Sequence, residues 1–179
     1  MEEQKNKVRL AELAPGECFK VGEQEFVVLE HCIDATAVIL KGLLTERQKF
    51  GKNNNFAGSF VDEICQEFAG ALEAVVGKEK LAEHDVDLTS DDGLKDYGCV
   101  SRKVSLLTAD QYRKYVEILD GHTVARWWWL ATPWSTPRHD DDEWVKCVAP
   151  SGIFSYDVYV NDYGVRPFCI FKSDIFVSI

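Results

Sequence analysis

The chain has 179 residues, 46% of them hydrophobic, and 30 acidic against 20 basic side chains leave a formal net charge of -10. A chain of this length buries about 70% of the surface its unfolded form exposes, so one domain is the simplest count. The negative balance, without a basic stripe, argues against a nucleic-acid partner, and the absence of an apolar run of about 18 residues argues against membrane insertion.

Met1-Glu2-Glu3-Gln4-Lys5 has neither a basic n-region nor an apolar h-region, so no signal peptide is expected. Glu17 to Lys20 and Glu25 to Leu29 flank Val21-Gly22-Glu23-Gln24 as strand, turn and strand, with Gly22 free to take a positive φ. A third strand over Thr36 to Leu40 completes a small antiparallel unit. Ser59 is placed to cap the next helix by accepting the N–H of Asp62, with Asp62 and Glu63 at the positive end of its dipole. Phe60, Ile64, Phe68, Leu72 and Val75 recur at helical spacing as a core stripe, and Gly77 supplies the stop. Between Lys78 and Arg102 the pattern decays into charged and small residues, which reads as a long loop or irregular excursion.

The second helix opens at Leu106-Leu107-Thr108: Thr108 is the cap, Gln111 completes a capping box, Leu107 staples Tyr112, and the helix ends before Asp120-Gly121. From Arg126 the chain reads as strands. Trp127 and Trp129 point to one side and Trp128 to the other, either packed against the two helices, the favoured reading, or forming an aromatic platform. Glu143 to Ala149, a turn at Pro150-Ser151-Gly152, and Ile153 to Val160 form a hairpin. Asn161-Asp162-Tyr163-Gly164 then returns the chain into a last strand, Val165 to Phe171, giving a three-stranded meander. Arg166, before Pro167, is either tied to a carboxylate and backbone carbonyls, which is favoured, or projected into a pocket to meet a ligand anion.

The segments Trp128-Trp129-Leu130-Ala131-Thr132-Pro133 and Gly164-Val165-Arg166-Pro167-Phe168-Cys169, in this order, resemble the WWLRSP and GVRPAL motifs of a domain family of unknown function from gut bacteria and phages. The family's Arg and Ser are Ala131 and Thr132 here, and the second motif is kept through its proline. The resemblance covers nearly the whole chain from about Leu10. It implies an α+β, C-type-lectin-like mixed fold, akin to the formylglycine-generating enzymes, with small twisted antiparallel sheets, two main helices and long loops. On this basis residues 1–9 are expected to be a flexible N-terminus and residues 10–179 a single domain of that type.

Candidate chemistry is sparse. The six cysteines are at least 14 residues apart, too far for metal-knuckle or redox spacing, and read as buried free thiols of a reducing compartment rather than a disulfide framework. That points to a cytoplasmic or virion-associated product. No G-x-S-x-G elbow, phosphate loop or H-E-x-x-H helix occurs, so no catalytic residue is assigned and no enzyme is expected. Asp140, Asp141 and Asp142 could offer oxygens to calcium, but the spacing is not an EF-hand and a solvated acidic loop is favoured; no cofactor is otherwise expected. The expected function is non-catalytic recognition of a protein or surface glycan through Trp134, Arg138, His139, Tyr156, Tyr159, Asn161 and Tyr163, with Trp127, Trp128, Trp129 and Arg166 as structural supports. The alternatives are a structural or assembly component of a virion or cell surface, and a calcium-dependent lectin.

Overall fold

A computed structural model describes residues 6–179. It is α+β, with two sheets and a two-stranded ribbon set about two helices. The eight-stranded sheet contains β1 (Lys7–Arg9), β2 (Cys18–Val21), β3 (Gln24–Cys32), β4 (Ala35–Leu40), β6 (Leu81–Ala82), β9 (Val104–Ser105), β14 (Phe168–Lys172) and β15 (Phe176–Ser178). Their order is β1-β15-β2-β3-β4-β14-β6, with β9 also paired to β14. The five-stranded sheet runs β12 (Phe154–Val158), β11 (Trp144–Val148), β10 (Trp128–Pro133), β13 (Asp162–Val165) and β5 (Thr45–Lys49). The ribbon pairs β7 (His84–Asp87) with β8 (Cys99–Arg102).

The runs Phe26 to Leu29 and Ala37 to Leu40 lack polar alternation because both faces of their sheet are covered. Phe26, Val28, Val38 and Leu40 face one core with Val61, Cys65, Phe68, Ala69 and Leu72 of α1 (Phe60–Val76). Val27, Leu29, Ala37 and Ile39 face a second core with Tyr112, Tyr115 and Leu119 of α2 (Ala109–Asp120). The Trp strand divides the same way: Trp129 and Ala131 enter the α1 core, Trp128 and Leu130 the α2 core. Alternation of strand side chains is the cause. Trp128 meets Tyr112 edge-on at 5.9 Å, but Trp129 packs on Phe50 and Tyr163, and Trp127 stays about a third exposed.

Both helix starts form as their sequences dictate. Ser59 Oγ accepts the N–H of Asp62, and Thr108 and Gln111 complete the reciprocal capping box. Gly22, with φ 60°, makes the first hairpin turn.

Several expectations are corrected. The buried face of α1 is turned from the expected stripe: Val61, Cys65 and Ala69 are buried while Val75 is 59% exposed. Asp62, expected only to favour the helix dipole, is buried and receives the forked Arg102 guanidinium at 2.9 and 2.8 Å. That fork ties the 78–102 segment to α1, so the expected loop carries the paired ribbon instead. Residues 7–9, expected to be flexible, form β1 against β15; residues 1–5 of that segment lie outside the described residues. The expected 165–171 strand is two strands, because the chain leaves one sheet for the other at Arg166-Pro167. The meander therefore does not form: β13 lies between β10 and β5, and its pairing with β10, Trp128 opposite Gly164, is parallel. Gly164 permits this approach, since a Cβ there would fall 3.2 Å from the Trp127 carbonyl oxygen and 2.6 Å from Leu43 Cδ1.

Arg166 sits at that crossover, 1% exposed. Its Nε donates to the Leu40 carbonyl at 2.9 Å and its Nη2 to the Lys41 and His122 carbonyls at 3.0 and 2.8 Å. The guanidinium lies 5.2 Å from the Trp128 ring centroid. The structural pairing holds in its carbonyl part, without a carboxylate in hydrogen-bond contact. Burial pulls the Arg166 pKa down to about 10. Each buried acceptor left without a donor costs about 1 to 3 kcal/mol, so Arg166→Met is expected to lower the unfolding free energy by about 3 kcal/mol or more in urea titrations. A loss below about 1 kcal/mol would show that those carbonyls find other donors.

Candidate functional site

The strongest candidate surface is the open half of the face shared by β10, β11 and β12. In the β11–β12 register Trp144 faces Val158, Lys146 faces Tyr156 and Val148 faces Phe154. The flanking bonds Tyr159 N–H to Glu143 O and Ala149 N–H to Ile153 O make these the non-hydrogen-bonded pairs, in which opposed side chains lie closest. Toward one end, Trp128, Val148 and Phe154 are roofed by α2, with Tyr112 stacked on Phe154 at 5.5 Å. Toward the other end the roof stops. There Trp134, Tyr156 and Trp144 form an exposed aromatic strip, Trp134 stacked on Tyr156 at 4.1 Å and Trp144 edge-on to Tyr156 at 5.5 Å. They are 37%, 44% and 37% exposed.

Lys146 lies beside the strip, its side chain only 6% exposed. Its ammonium is 3.9 Å from the Phe154 ring centroid, 5.0 Å from Trp134 and 5.8 Å from Tyr156. Asp91 is the carboxylate nearest in charge contact, at 3.5 Å. Burial lowers the Lys146 pKa, and Asp91 opposes that shift.

A loop between the ribbon strands braces the segment that carries Trp134. Asp92 accepts hydrogen bonds from Ser90, from Ser135 at 2.6 Å and from His139 Nδ1 at 2.8 Å. Asp96 accepts from Thr136 and pairs with Arg138. Asn54 reaches the Ser135 and Trp144 carbonyls through Nδ2, while its Oδ1 accepts from Tyr97. Burial would raise the Asp92 pKa, but the hydrogen bonds from Ser135, Ser90 and His139 outweigh it and hold the carboxyl near 2.

The residues expected to bind ligand are thus divided. Trp134 and Tyr156 come together in the strip. Arg138 and His139, in the short 3-10 turn Pro137–His139, are engaged by Asp96 and Asp92. Tyr163 packs between Trp127 and Trp129 and donates to Asp157, Tyr159 is half-buried against the α1 core, and Asn161 is exposed in the turn after β12. Three members of the site were missed: Trp144, Lys146 and Asp91. Trp144 opens β11, and its alternation with Lys146 along an apolar strand places both on one face; Asp91 came from a distant loop without any such signal.

Other chemistry finds less support. The three aspartates of the acidic loop do not converge: Asp141 Oδ1 accepts the N–H groups of Glu143 and Trp144, and Asp140 takes a left-handed φ of 55°. Among the described residues no group of three or more His, Cys, Asp or Glu side chains is placed to hold a metal ion. The cysteines are free, with Cys65, Cys147 and Cys169 buried as expected but Cys32 and Cys99 exposed. Burial raises the Cys65, Cys147 and Cys169 pKa values, that of Cys147 to about 12, opposite to an activated nucleophile. His31, His84, His122 and His139 hold separate contacts, to Leu13 and Thr36, Ser105, Gly16, and Asp92. An open groove of about 960 Å³ runs past Lys41, Glu46, His122 and Arg126, its charges already in the pairs Lys41–Glu25 and Arg126–Glu46. Among the described residues no helix is long and apolar enough to cross a membrane. No family model, curated protein or solved structure matches the chain.

The Asp92 brace has a testable pH dependence. Its folded pKa near 2 lies below the ordinary 3.8, so the stabilisation is complete above the ordinary value and is lost as pH falls toward 2. Beyond the intrinsic pH effect, amide exchange across residues 88–98 is expected to accelerate about tenfold over that window. In Asp92→Ala the same amides should exchange fast already at neutral pH; unchanged protection there would contradict the bracing role.

Proposed function

We propose that the chain is a non-catalytic recognition domain of C-type-lectin-like architecture that binds a protein or surface glycan through its aromatic strip. The observation that carries this reading is the contiguous exposure of Trp134, Tyr156 and Trp144 where the cover of α2 ends. Large exposed aromatics in one patch, held by a rigid sheet, are the usual anchors of binding surfaces, combining contact area with little rotamer entropy. The bracing by Asp92, Asp96 and Asn54 supports it further, since preorganisation of the segment that carries Trp134 lowers the entropic cost of binding. The architecture is supported by the mixed helices and sheets and by the contact between the Trp strand and Gly164 to Arg166.

The test compares the parent with Tyr156→Ala and Trp134→Ala on a glycan array and in pull-downs from surface-protein extracts. Both substitutions are expected to weaken binding about tenfold or more while leaving melting nearly unchanged, as truncations of exposed anchor residues do. Undiminished binding by both variants would assign recognition to another surface. Concentration-dependent dimers that disappear in Tyr156→Ala would instead assign the strip to self-assembly.

A further inference from the structure

We infer that the ligand of the strip is a neutral glycan whose pyranose rings stack on Trp134, Tyr156 and Trp144, and that Lys146 Nζ donates a hydrogen bond to a sugar hydroxyl. This rests on the recognition reading and narrows it to one ligand class.

The first support is the chemistry of the strip itself. A pyranose ring offers a C–H face that suits the negative face of an aromatic ring, while its rim hydroxyls require fixed polar partners. Lys146 supplies such a partner. An ammonium has three N–H donors; that of Lys146 pairs with Asp91 at 3.5 Å and otherwise faces the Phe154, Trp134 and Tyr156 rings. Aromatic faces attract the charge but are weak hydrogen-bond acceptors, so beside the donor turned to Asp91 the ammonium keeps donors for an oxygen arriving on the strip.

Charge selects a neutral chain over an acidic one. Asp91 and Asp110 together balance Lys146 and the neighbouring Arg113, and Asp140, Asp141, Asp142 and Glu143 lead directly into Trp144. An anionic sugar would approach against that acidic run.

The strand edge disfavours the other macromolecular ligand, an extended peptide added to β12. The non-hydrogen-bonded positions Phe154, Tyr156 and Val158 turn their backbone groups outward. Of these, the Val158 N–H is taken by the Asp157 carboxylate at 2.7 Å and its carbonyl by the Asn161 N–H at 3.1 Å. Only Phe154 and Tyr156 remain as outward rungs, a short ladder for a bound strand, whose affinity comes from main-chain bonds.

Tryptophan-fluorescence titration with maltohexaose, cellohexaose, mannohexaose and an acidic hexagalacturonate tests the inference. At least one neutral hexamer is expected to bind, more tightly than the acidic one, and its affinity should fall about tenfold in both Tyr156→Ala and Lys146→Met. Met preserves the buried length without the donors, so an unchanged melting temperature separates lost contact from lost fold; Lys146→Gln, which keeps a donor, should recover part of the affinity. Equal affinity in Lys146→Met overturns the assigned contact. Failure of every neutral hexamer, or preference for the acidic one, overturns the ligand class; Tyr156-dependent capture of a protein in the pull-down would leave the broader recognition reading standing, and its absence would end both.

Discussion

The architecture turns on one buried cation. Arg166 lies where the chain passes from the five-stranded to the eight-stranded sheet, and its guanidinium gathers carbonyls from the end of β4 and from the turn after α2. Taking a charge out of water is expensive unless its hydrogen bonds are replaced. Three carbonyl dipoles and the face of Trp128 provide the replacement, with no carboxylate among the hydrogen-bond partners. A lysine could not reach those oxygens with the same planar fork. The two sheets can share both cores because this junction fixes where one hands over to the other, and the Trp strand is held to β13 at the residue pair just before it.

Downstream of that junction, the β10–β12 face has two fates. α2 covers Trp128, Val148 and Phe154, and the same alternation carries Tyr156 and Trp144 past the helix into the open, with Lys146 buried between the two halves. A surface with a rigid apolar underside and rings on its outer side arises because α2 packs on only one end of this face. Under the proposed recognition role, the acidic character of the chain acts on specificity more than on affinity, by deciding which approaching charges are tolerated.

Local chemistry made the helix caps and the Gly22 turn legible, since each depends on a few neighbouring residues. The alternation of Trp127, Trp128 and Trp129 was legible for the same reason, and so was the closeness of the Trp strand to Arg166. What the sequence could not convey was non-local. The Thr45–Lys49 strand reads as polar and charged and exists because β13 pairs with it. The 78–102 segment reads as loop because its order comes from Arg102 on Asp62 and from strand pairing. The α1 stripe was displaced because Phe60 and Val75 fit the periodicity, while the packed sheet selects Val61, Cys65 and Ala69. At the site, residue types suggested Tyr163 and Tyr156 together, and only strand register shows that Tyr163 belongs to the Trp129 side.

The central position of β14 has a kinetic corollary. Residues 168–172 fill the gap between β4 and the short strands β6 and β9, so a ribosome must deliver more than 120 residues beyond β4 before that gap can close. Until then the edge of β4, with Ala37, Val38, Ile39 and Leu40, stands unpaired in the nascent chain. Pairings this distant in sequence slow folding and prolong the exposure of sticky strand edges. The nascent chain is therefore most exposed to aggregation through this edge just before residues 168–172 emerge.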